Sequence, residues 1–210
     1  MKKVLIATPC GNTVCTKYCK SILDNVMYLI IKKALCSFVY YPVTNSCYIH
    51  DLRSECLRYA KEIEATHIIW VDSDMSFPND SFYRLMSHNL DFVAVNYSTK
   101  ASPYRFTAAK WNKEENLFIT IGTSDSSTGL EKVDGVGFGL CLTATHLFDN
   151  LEEPYFRYVF DKKSKEHIGE DYQFCLDVKP YTDIYIDHDL SKQVGHEGFA
   201  LYTYHHPHMN

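Results

Sequence analysis

The sequence lacks a long apolar run. Its longest apolar stretch after the amino terminus, residues 26–31, is far shorter than the roughly 20 residues that a membrane-spanning helix needs. A lysine pair follows Met1, but only about four apolar residues come after it, too few for the apolar region of a signal peptide. These absences predict a cytoplasmic protein without a transmembrane segment.

An excess of positive charge is also absent. The 210 residues carry 21 Lys and Arg against 26 Asp and Glu, and the formal net charge is −5. This balance disfavours non-specific binding to nucleic acid or to an anionic membrane through bulk charge. We therefore expect no nucleic-acid partner.

Disulfide, zinc and dinucleotide-binding patterns are missing too. The eight cysteines are too sparse for a disulfide scaffold and are expected to be reduced. Cys10, Cys15 and Cys19 lack the second half of a zinc motif. The loop after the first predicted strand contains one glycine, Gly11, where a dinucleotide fingerprint needs three, which disfavours a Rossmann dehydrogenase.

What is present is a buried strand that ends in two carboxylates. Residues 67–71 are almost continuously apolar, which is typical of a strand covered on both faces of its sheet. Asp72 and Asp74 follow where this strand would leave the sheet, the place where open α/β sheets bind ligands. Two carboxylates at this spacing can converge on one hard cation. Alternatively, they are turn formers or a helix cap before Pro78.

The first half of the chain alternates strands with helices, which predicts an α/β fold with a mostly parallel central sheet flanked by helices. Its predicted elements are, in order, strand 3–8, helix 13–35, strand 37–43, helix 48–65, strand 66–71, helix 78–88 and strand 91–95. We expect one domain over 1–210.

The second half is less regular. Short strands are predicted over 104–110, 116–121 and 130–134, which suggests a small antiparallel part. Glycines at 135, 137 and 139 fit a strand that a ligand or another backbone approaches closely. Residues 140–151 are apolar and predicted to be helical. Glu170 and Asp171 open another helix, where the helix dipole alone favours acids.

These features together resemble a GT-A glycosyltransferase, particularly the short stand-alone enzymes of viruses, phages and bacteria. The resemblance rests on the Asp-x-Asp after the buried strand, the glycine-spaced strand, Gly169-Glu170-Asp171, and the late Val194-Gly195-His196-x-Gly198. It covers residues 3 to about 199 and implies the GT-A fold, with a nucleotide-binding half, 1–100, and an acceptor-side half, 101–210. It also implies transfer of a hexosyl or deoxyhexosyl group from a nucleoside diphosphate sugar, most often a UDP-sugar, to a glycan or another hydroxyl acceptor.

The resemblance assigns roles to individual residues. Asp72, Asp74 and His196 match positions that bind Mn²⁺ or Mg²⁺, an assignment that suits the oxygen and imidazole ligands these ions accept. Asp171 matches the catalytic base, with Glu170 as second candidate. Positions that match donor-binding residues are Thr8, Pro9, Asn45, Arg53, Asp72, Ser73, Tyr97, Lys100, Gly137 and Gly139. For Arg53, a surface ion pair is the alternative to a diphosphate contact.

Two other functions stay open. A nucleotidyltransferase that makes sugar nucleotides has a related sheet, but it is expected to carry a glycine-rich, basic loop after the first strand, which Pro9-Cys10-Gly11-Asn12 is not. A non-catalytic carbohydrate-binding protein of the same fold is the other alternative. It predicts that substitution of Asp171 leaves ligand binding and biological activity intact.

Overall fold

A computed structural model describes residues 2–34, 36–44 and 46–209. Its strands are β1 Lys2–Pro9, β2 Cys36–Val43, β3 His67–Val71, β4 Met75–Ser76, β5 Phe92–Ala94, β6 Ala108–Asn112, β7 Leu117–Ile121, β8 Leu130–Val133, β9 Gly135–Val136, β10 Leu140–Ala144, β11 Val159–Phe160, β12 His167–Ile168, β13 Ile184–Asp187, β14 Gly195–Glu197 and β15 Leu201–Tyr202. Its α-helices are α1 Thr16–Ile31, α2 Ile49–Glu62, α3 Ser81–Ser87, α4 Glu170–Val178 and α5 His188–Ser191.

The central sheet has seven strands in the order β2-β1-β3-β10-β5-β13-β8. Strand β1 runs parallel to β2 and β3, and β5 runs parallel to β13. Strand β10 is antiparallel to both β3 and β5, and β8 is antiparallel to β13. The α/β prediction is confirmed, and the sheet is evenly mixed rather than mostly parallel.

Both faces of this sheet are covered, as the continuous apolar strands predict. In β3, Ile68 and Trp70 pack into one core with α2, whereas Ile69 and Val71 pack into the other with α1 and α3. Successive side chains of a strand point to opposite faces, so a strand between two layers must be apolar at every position.

The predicted helix over 140–151 is wrong. Leu140–Ala144 forms β10, and Thr145–Asn150 is a 3₁₀-helix. Strand β10 fills the gap between β3 and β5, with Cys141 paired to both Trp70 and Ala94. The Trp70 indole donates to the Thr143 hydroxyl at 2.9 Å, which fixes this register. A short apolar run has no periodicity that separates a helix from a buried strand, and here the neighbouring strands decide.

Three smaller sheets complete the fold. Strands β15, β14 and β4 form one, β7, β6 and β9 form the second, and β11 pairs with β12 in the third. The first of them joins the end of the described chain to the turn after β3. None of the helices in the described ranges is both long enough and apolar enough to cross a bilayer.

Candidate active site

The two carboxylates of the Asp-x-Asp sequence lie in the tight turn that links β3 to β4. The Asp72 amide donates to the Gly139 carbonyl at 3.0 Å, and the Met75 amide closes the turn by donating to the Asp72 carbonyl at 3.1 Å. The backbone of Asp72 is thus tied to the turn between β9 and β10, which contains Gly137 and Gly139; the strand predicted through these glycines is interrupted there. Both carboxyl groups are partly exposed, at 25% for Asp72 and 33% for Asp74.

His196 reaches this turn through sheet pairing. Strand β14 runs antiparallel to β4, with His196 opposite Met75, and His196 Nε2 lies 3.4 Å from Asp74 Oδ1. The other ring nitrogen, Nδ1, lies 2.9 Å from the Ser98 carbonyl oxygen, which can only accept. Nδ1 therefore carries the proton. In the neutral ring, Nε2 then turns a lone pair toward a carboxylate, an arrangement that a cation would stabilise.

The Lys100 ammonium also lies beside Asp74. It donates to Asp74 Oδ2, and the Lys100 stem lies 3.1 Å from where a Cβ on Gly198 would be. Burial raises the pKa of the Asp74 carboxyl, but the neighbouring His196 ring and Lys100 ammonium outweigh it and hold that pKa below its usual range. Asp74 is accordingly an anion at neutral pH.

Arg53 connects the turn to the second acidic pair. Its guanidinium is almost fully buried, lies 2.5 Å from Glu170 Oε1 and 3.5 Å from Asp72 Oδ1, and rests on the Phe138 ring at 5.0 Å. Burial lowers the Arg53 pKa, and the surrounding carboxylates, above all Asp72, raise it by more. Burial also raises the pKa of Asp72, although Arg53 opposes that shift.

The two acids that open α4 face different surroundings. Glu170 is buried and bound to Arg53, so its charge is already compensated. Asp171 is partly exposed and accepts from the Tyr172 amide at 2.8 Å. Burial and the like charge of Glu170 raise the pKa of Asp171 to about 6, against the opposing effect of Arg53. A carboxylate with such a pKa is suited to accept a proton near neutral pH.

Asp171 lines a cleft of about 370 Å³ between α4 and the small β7-β6-β9 sheet. Trp111, Phe118 and Tyr172 form an aromatic wall, with ring centroids 4.8 Å apart for the first two and 4.6 Å apart for the last two. The polar groups of this cleft are those of Arg105, Asn116, Ser164, Glu166 and His167. Aromatic faces beside polar groups suit a sugar ring, which has an apolar face and a hydroxylated edge.

The alternate glycines make room for aromatic rings. A Cβ on Gly135 would lie 2.5 Å from Tyr172, and Cβ atoms on Gly137 and Gly139 would lie 2.5 and 2.6 Å from Tyr97. Tyr97 is buried, its hydroxyl accepts from the Gly139 amide at 3.0 Å, and its ring meets the His196 ring edge-on at 5.2 Å. Tyr97 thus occupies the space next to Gly137 and Gly139, the two glycines that we expected to bind the donor.

Solved structures share this arrangement of strands. The structure of A197 from STIV superposes over 94% of this chain and 86% of its own, with a TM-score of 0.60 and 15% identity. The structure of GalNAc-T7 with UDP, GalNAc and Mn²⁺ superposes over 93% of this chain and 44% of its own, with a TM-score of 0.50 and 11% identity. The chain has the GT-A fold. Comparisons with protein-family models and with curated proteins found no match.

The resemblance to GT-A glycosyltransferases implies a divalent cation, and the turn after β3 offers carboxylate oxygens to one. Asp72 Oδ1 and Asp74 Oδ1 are buried and have no hydrogen-bond partner among the described residues. Over the same residues, no three His, Cys, Asp or Glu side chains converge on one point, so any further ligands would have to come from diphosphate and water. That division is usual for Mg²⁺, which keeps few protein ligands beside substrate phosphates.

The structure does not assemble every residue that the resemblance assigned to the donor. Thr8 and Pro9 are buried at the end of β1, and the Thr8 hydroxyl is bound to Tyr18 at 2.5 Å. The Ser73 carbonyl accepts from the Cys15 amide at 3.1 Å, so this turn also anchors the start of α1. Asn45 lies outside the described residues.

Two features of the site were not predicted. The Ser98 carbonyl fixes the His196 tautomer, and a backbone acceptor has no side-chain signature that a sequence pattern can show. The aromatic wall of Trp111, Phe118 and Tyr172 comes from β6, β7 and α4. The sequence predicts short strands over 104–110 and 116–121, but it does not show which helix packs against them.

Proposed function

We propose that this protein is a metal-dependent glycosyltransferase that moves a sugar from a nucleoside diphosphate sugar to a glycan hydroxyl. The observation that carries the proposal is the turn after β3. Asp72 Oδ1 and Asp74 Oδ1 are buried there without a hydrogen bond to the described residues, and His196 Nε2 lies 3.4 Å from Asp74 Oδ1. UDP is the expected nucleotide, since GalNAc-T7, which shares the fold, is described with UDP, GalNAc and Mn²⁺.

The donor half of the site is the turn after β3. Asp74 and His196 would hold Mn²⁺ or Mg²⁺ together with the diphosphate, and Asp72 would complete the acidic surface. When bound, the ion supplies positive charge against the diphosphate, whose negative charge grows as the glycosidic bond breaks. Lys100 adds a flexible cation at the same carboxylate and can turn from Asp74 toward a phosphate oxygen.

Arg53 acts in this proposal as a positioning residue rather than a direct donor contact. Its guanidinium is buried between Asp72 and Glu170, and it links α2, the turn after β3 and the start of α4. This arrangement fixes the separation between the donor half and the acceptor half. Glu170 is paired with Arg53 and does not line the cleft, whereas Asp171 does, which makes Asp171 the better candidate for the base.

The acceptor half is the cleft beside Asp171. A sugar ring of the acceptor would stack on the aromatic wall of Trp111, Phe118 and Tyr172 and present one hydroxyl to the Asp171 carboxylate. Asp171 takes the hydroxyl proton while the oxygen bonds to the anomeric carbon. The bond between that carbon and the diphosphate oxygen breaks, and its electron pair leaves with the nucleoside diphosphate.

The proposal is tested by titrating UDP and GDP, alone and with Mn²⁺, onto the wild-type protein and Asp74→Ala by calorimetry. We expect Mn²⁺-dependent binding of UDP that Asp74→Ala weakens by roughly a hundredfold or more, because even outer partners of metal ligands change metal affinity about 10–100-fold. Asp149→Ala is the matched control, since Asp149 is an exposed carboxylate that pairs with Lys61 at the surface. Asp149→Ala should bind like the wild type.

Two results would contradict the proposal. One is the absence of metal-dependent binding for every nucleoside diphosphate tested, and the other is an Asp74→Ala variant that binds like the wild type. The wild-type protein could instead bind UDP and saccharide but transfer no sugar, and substitution of Asp171 could leave this binding unchanged. That result would support the non-catalytic carbohydrate-binding alternative.

A further inference from the structure

The outward face of α1 is apolar. Leu23, Met27, Ile30 and Ile31 lie on it at helical spacing and are 65%, 54%, 56% and 72% exposed. We call these four residues the outer stripe. Isolated apolar side chains at a surface are ordinary, but four large aliphatic ones in line form a continuous patch, and such patches mark interaction surfaces.

The inner face of α1 shows that the outer stripe is not needed for the core. Tyr18, Ile22 and Leu29 are buried on that face, and they pack against residues of β1, β3 and α3. A helix at a protein surface normally keeps its opposite side polar, and one that is apolar all round is normally covered on both sides. In the described structure α1 is covered on one side only.

The charges around the outer stripe are mostly positive. Lys32 and Lys33 follow directly after it and are exposed, and within the described ranges neither forms an ion pair. Lys20 lies on the same side, one turn before Leu23, and is bound to Asp24. The net charge of −5 disfavours binding to anionic membranes through the whole surface, but this face has the opposite sign.

We propose that α1 is a membrane-docking helix that lies in the interface of an anionic lipid bilayer. The outer stripe would enter the boundary between headgroups and acyl chains, and Lys32 and Lys33 would contact lipid phosphates, as in interfacial amphipathic helices. The 16 residues of α1 span about 24 Å, enough for a firm contact along the surface. A second copy of the chain is a less suitable partner for the outer stripe. Its own α1 would bring Lys20, Lys32 and Lys33 close to the same positively charged face.

This docking would set the orientation of the candidate active site. Helix α1 begins where the Cys15 amide binds the Ser73 carbonyl, at the Asp-x-Asp turn, and runs away from it. A bilayer held along α1 therefore has the turn beside it rather than on the far side of the protein. The docking proposal does not depend on the proposed transferase activity.

The test is co-sedimentation with phosphatidylcholine vesicles that contain or lack phosphatidylglycerol. We expect the wild type to bind the vesicles with phosphatidylglycerol and Met27→Glu/Ile30→Glu to bind them roughly tenfold or more weakly. Lys32→Glu/Lys33→Glu leaves the outer stripe intact and should weaken binding by about fivefold or more per lysine, with a loss of its salt dependence. Tyr181→Glu is the matched control and should change nothing. Tyr181 is an exposed aromatic residue that follows α4, and the buried side chains of α4 belong to the core on the other face of the sheet from α1.

Three outcomes would overturn the proposal. The wild type could fail to bind the anionic vesicles, or Met27→Glu/Ile30→Glu could bind as tightly as the wild type. The third is a wild-type dimer in solution that Met27→Glu/Ile30→Glu separates into monomers, which would make the outer stripe a protein interface. Circular dichroism of each variant checks the fold, and the lysine variant tests docking without any change in apolar residues.

Discussion

The two acidic pairs of this protein are built alike but have opposite charge environments. In each pair one carboxylate faces Arg53, namely Asp72 at 3.5 Å and Glu170 at 2.5 Å, and the other is directed elsewhere. Asp74 lies beside the Lys100 ammonium and the His196 ring, whereas Asp171 is desolvated by burial and lies beside the Glu170 carboxylate. The pKa of Asp74 is therefore lowered and that of Asp171 is raised to about 6. Arg53 thus contacts one carboxylate of each pair, and the remaining neighbours set the pKa of the other two, Asp74 and Asp171.

This difference assigns the two free carboxylates to different tasks. Asp74 stays ionised over the whole physiological range, as a group that binds a cation must. Asp171 can exchange a proton close to neutral pH, as a general base must. The sequence does not show how the pKa values of Asp74 and Asp171 differ, because their partners come from distant parts of the chain. Three substitutions test whether this contrast holds.

The largest effect is expected for Asp171→Asn. Removing the proposed base should lower the turnover number by about 10²–10⁴ and leave UDP affinity unchanged, because positioned bases contribute about that much to rates. The measurement is the transfer rate with the donor that the nucleotide titrations identify. Asp177→Asn is the control, since Asp177 lies on the same helix but pairs with Arg157. If Asp171→Asn and Asp177→Asn turn over equally fast, Asp171 is not the base.

Arg53→Met should have the next largest effect, on stability. Removing a buried guanidinium leaves Asp72 and Glu170 without their counter-charge, and breaking a buried ion pair from one side costs about 3–5 kcal/mol. Urea unfolding measures this loss. Arg58→Met, which removes an exposed arginine on the same helix, should cost under about 1 kcal/mol.

A double variant separates charge from packing at Arg53. Arg53→Met/Glu170→Gln removes one of the two stranded carboxylates, and part of the lost stability should return. If Arg53→Met proves no worse than Arg58→Met, Arg53 does not join the two acidic pairs in the way its distances indicate.

The smallest effect concerns pH. The folded-state pKa of Asp171 is about 6 and its ordinary value is 3.8, so between these values the folded state binds more protons than the unfolded state. Its contribution is therefore favourable at low pH and is lost as the pH rises through this window. Because the side chain is partly exposed, the loss should be roughly 1–2 kcal/mol rather than the full amount of the shift.

Asp171→Asn removes the titrating carboxyl group, so comparing its stability with that of the wild type measures this contribution. At pH 7 the variant should be more stable than the wild type by that roughly 1–2 kcal/mol in urea unfolding, and the difference should vanish near pH 3. If the variant is less stable than the wild type at pH 7, the ionised Asp171 carboxylate stabilises the fold. That result would contradict the destabilising effect expected from its burial and from the charge of Glu170.

Much of the first half could be predicted from the sequence because its signals are local. The apolar run of β3 predicts a strand covered on both faces, and the structure buries Ile68, Ile69, Trp70 and Val71 completely. The helices α1 and α2 follow their apolar periodicity, with ends a few residues inside those expected. The GT-A fold, inferred from the order of motifs, is confirmed.

The parts that failed depend on contacts between distant residues. Residues 140–144 form strand β10 because they pair with both β3 and β5, between which they lie. The residues of β10 by themselves do not indicate this pairing. Gly137 and Gly139 indicate a close approach, but Tyr97, some 40 residues earlier, is the group that approaches. Glu170 and Asp171 are neighbours in sequence, and their division of roles depends on Arg53, 117 residues before Glu170. The roles of these site residues stay predictions until the variants are measured.

The pairing of β4 with β14 has a consequence for biosynthesis. Ser76 and Gly195, which face each other in that pairing, are 119 residues apart. During translation the Asp-x-Asp turn is therefore made well before His196. A nascent or truncated chain that stops short of β14 has the acidic turn without its imidazole. The candidate centre is completed only when β14 has been made and has paired with β4.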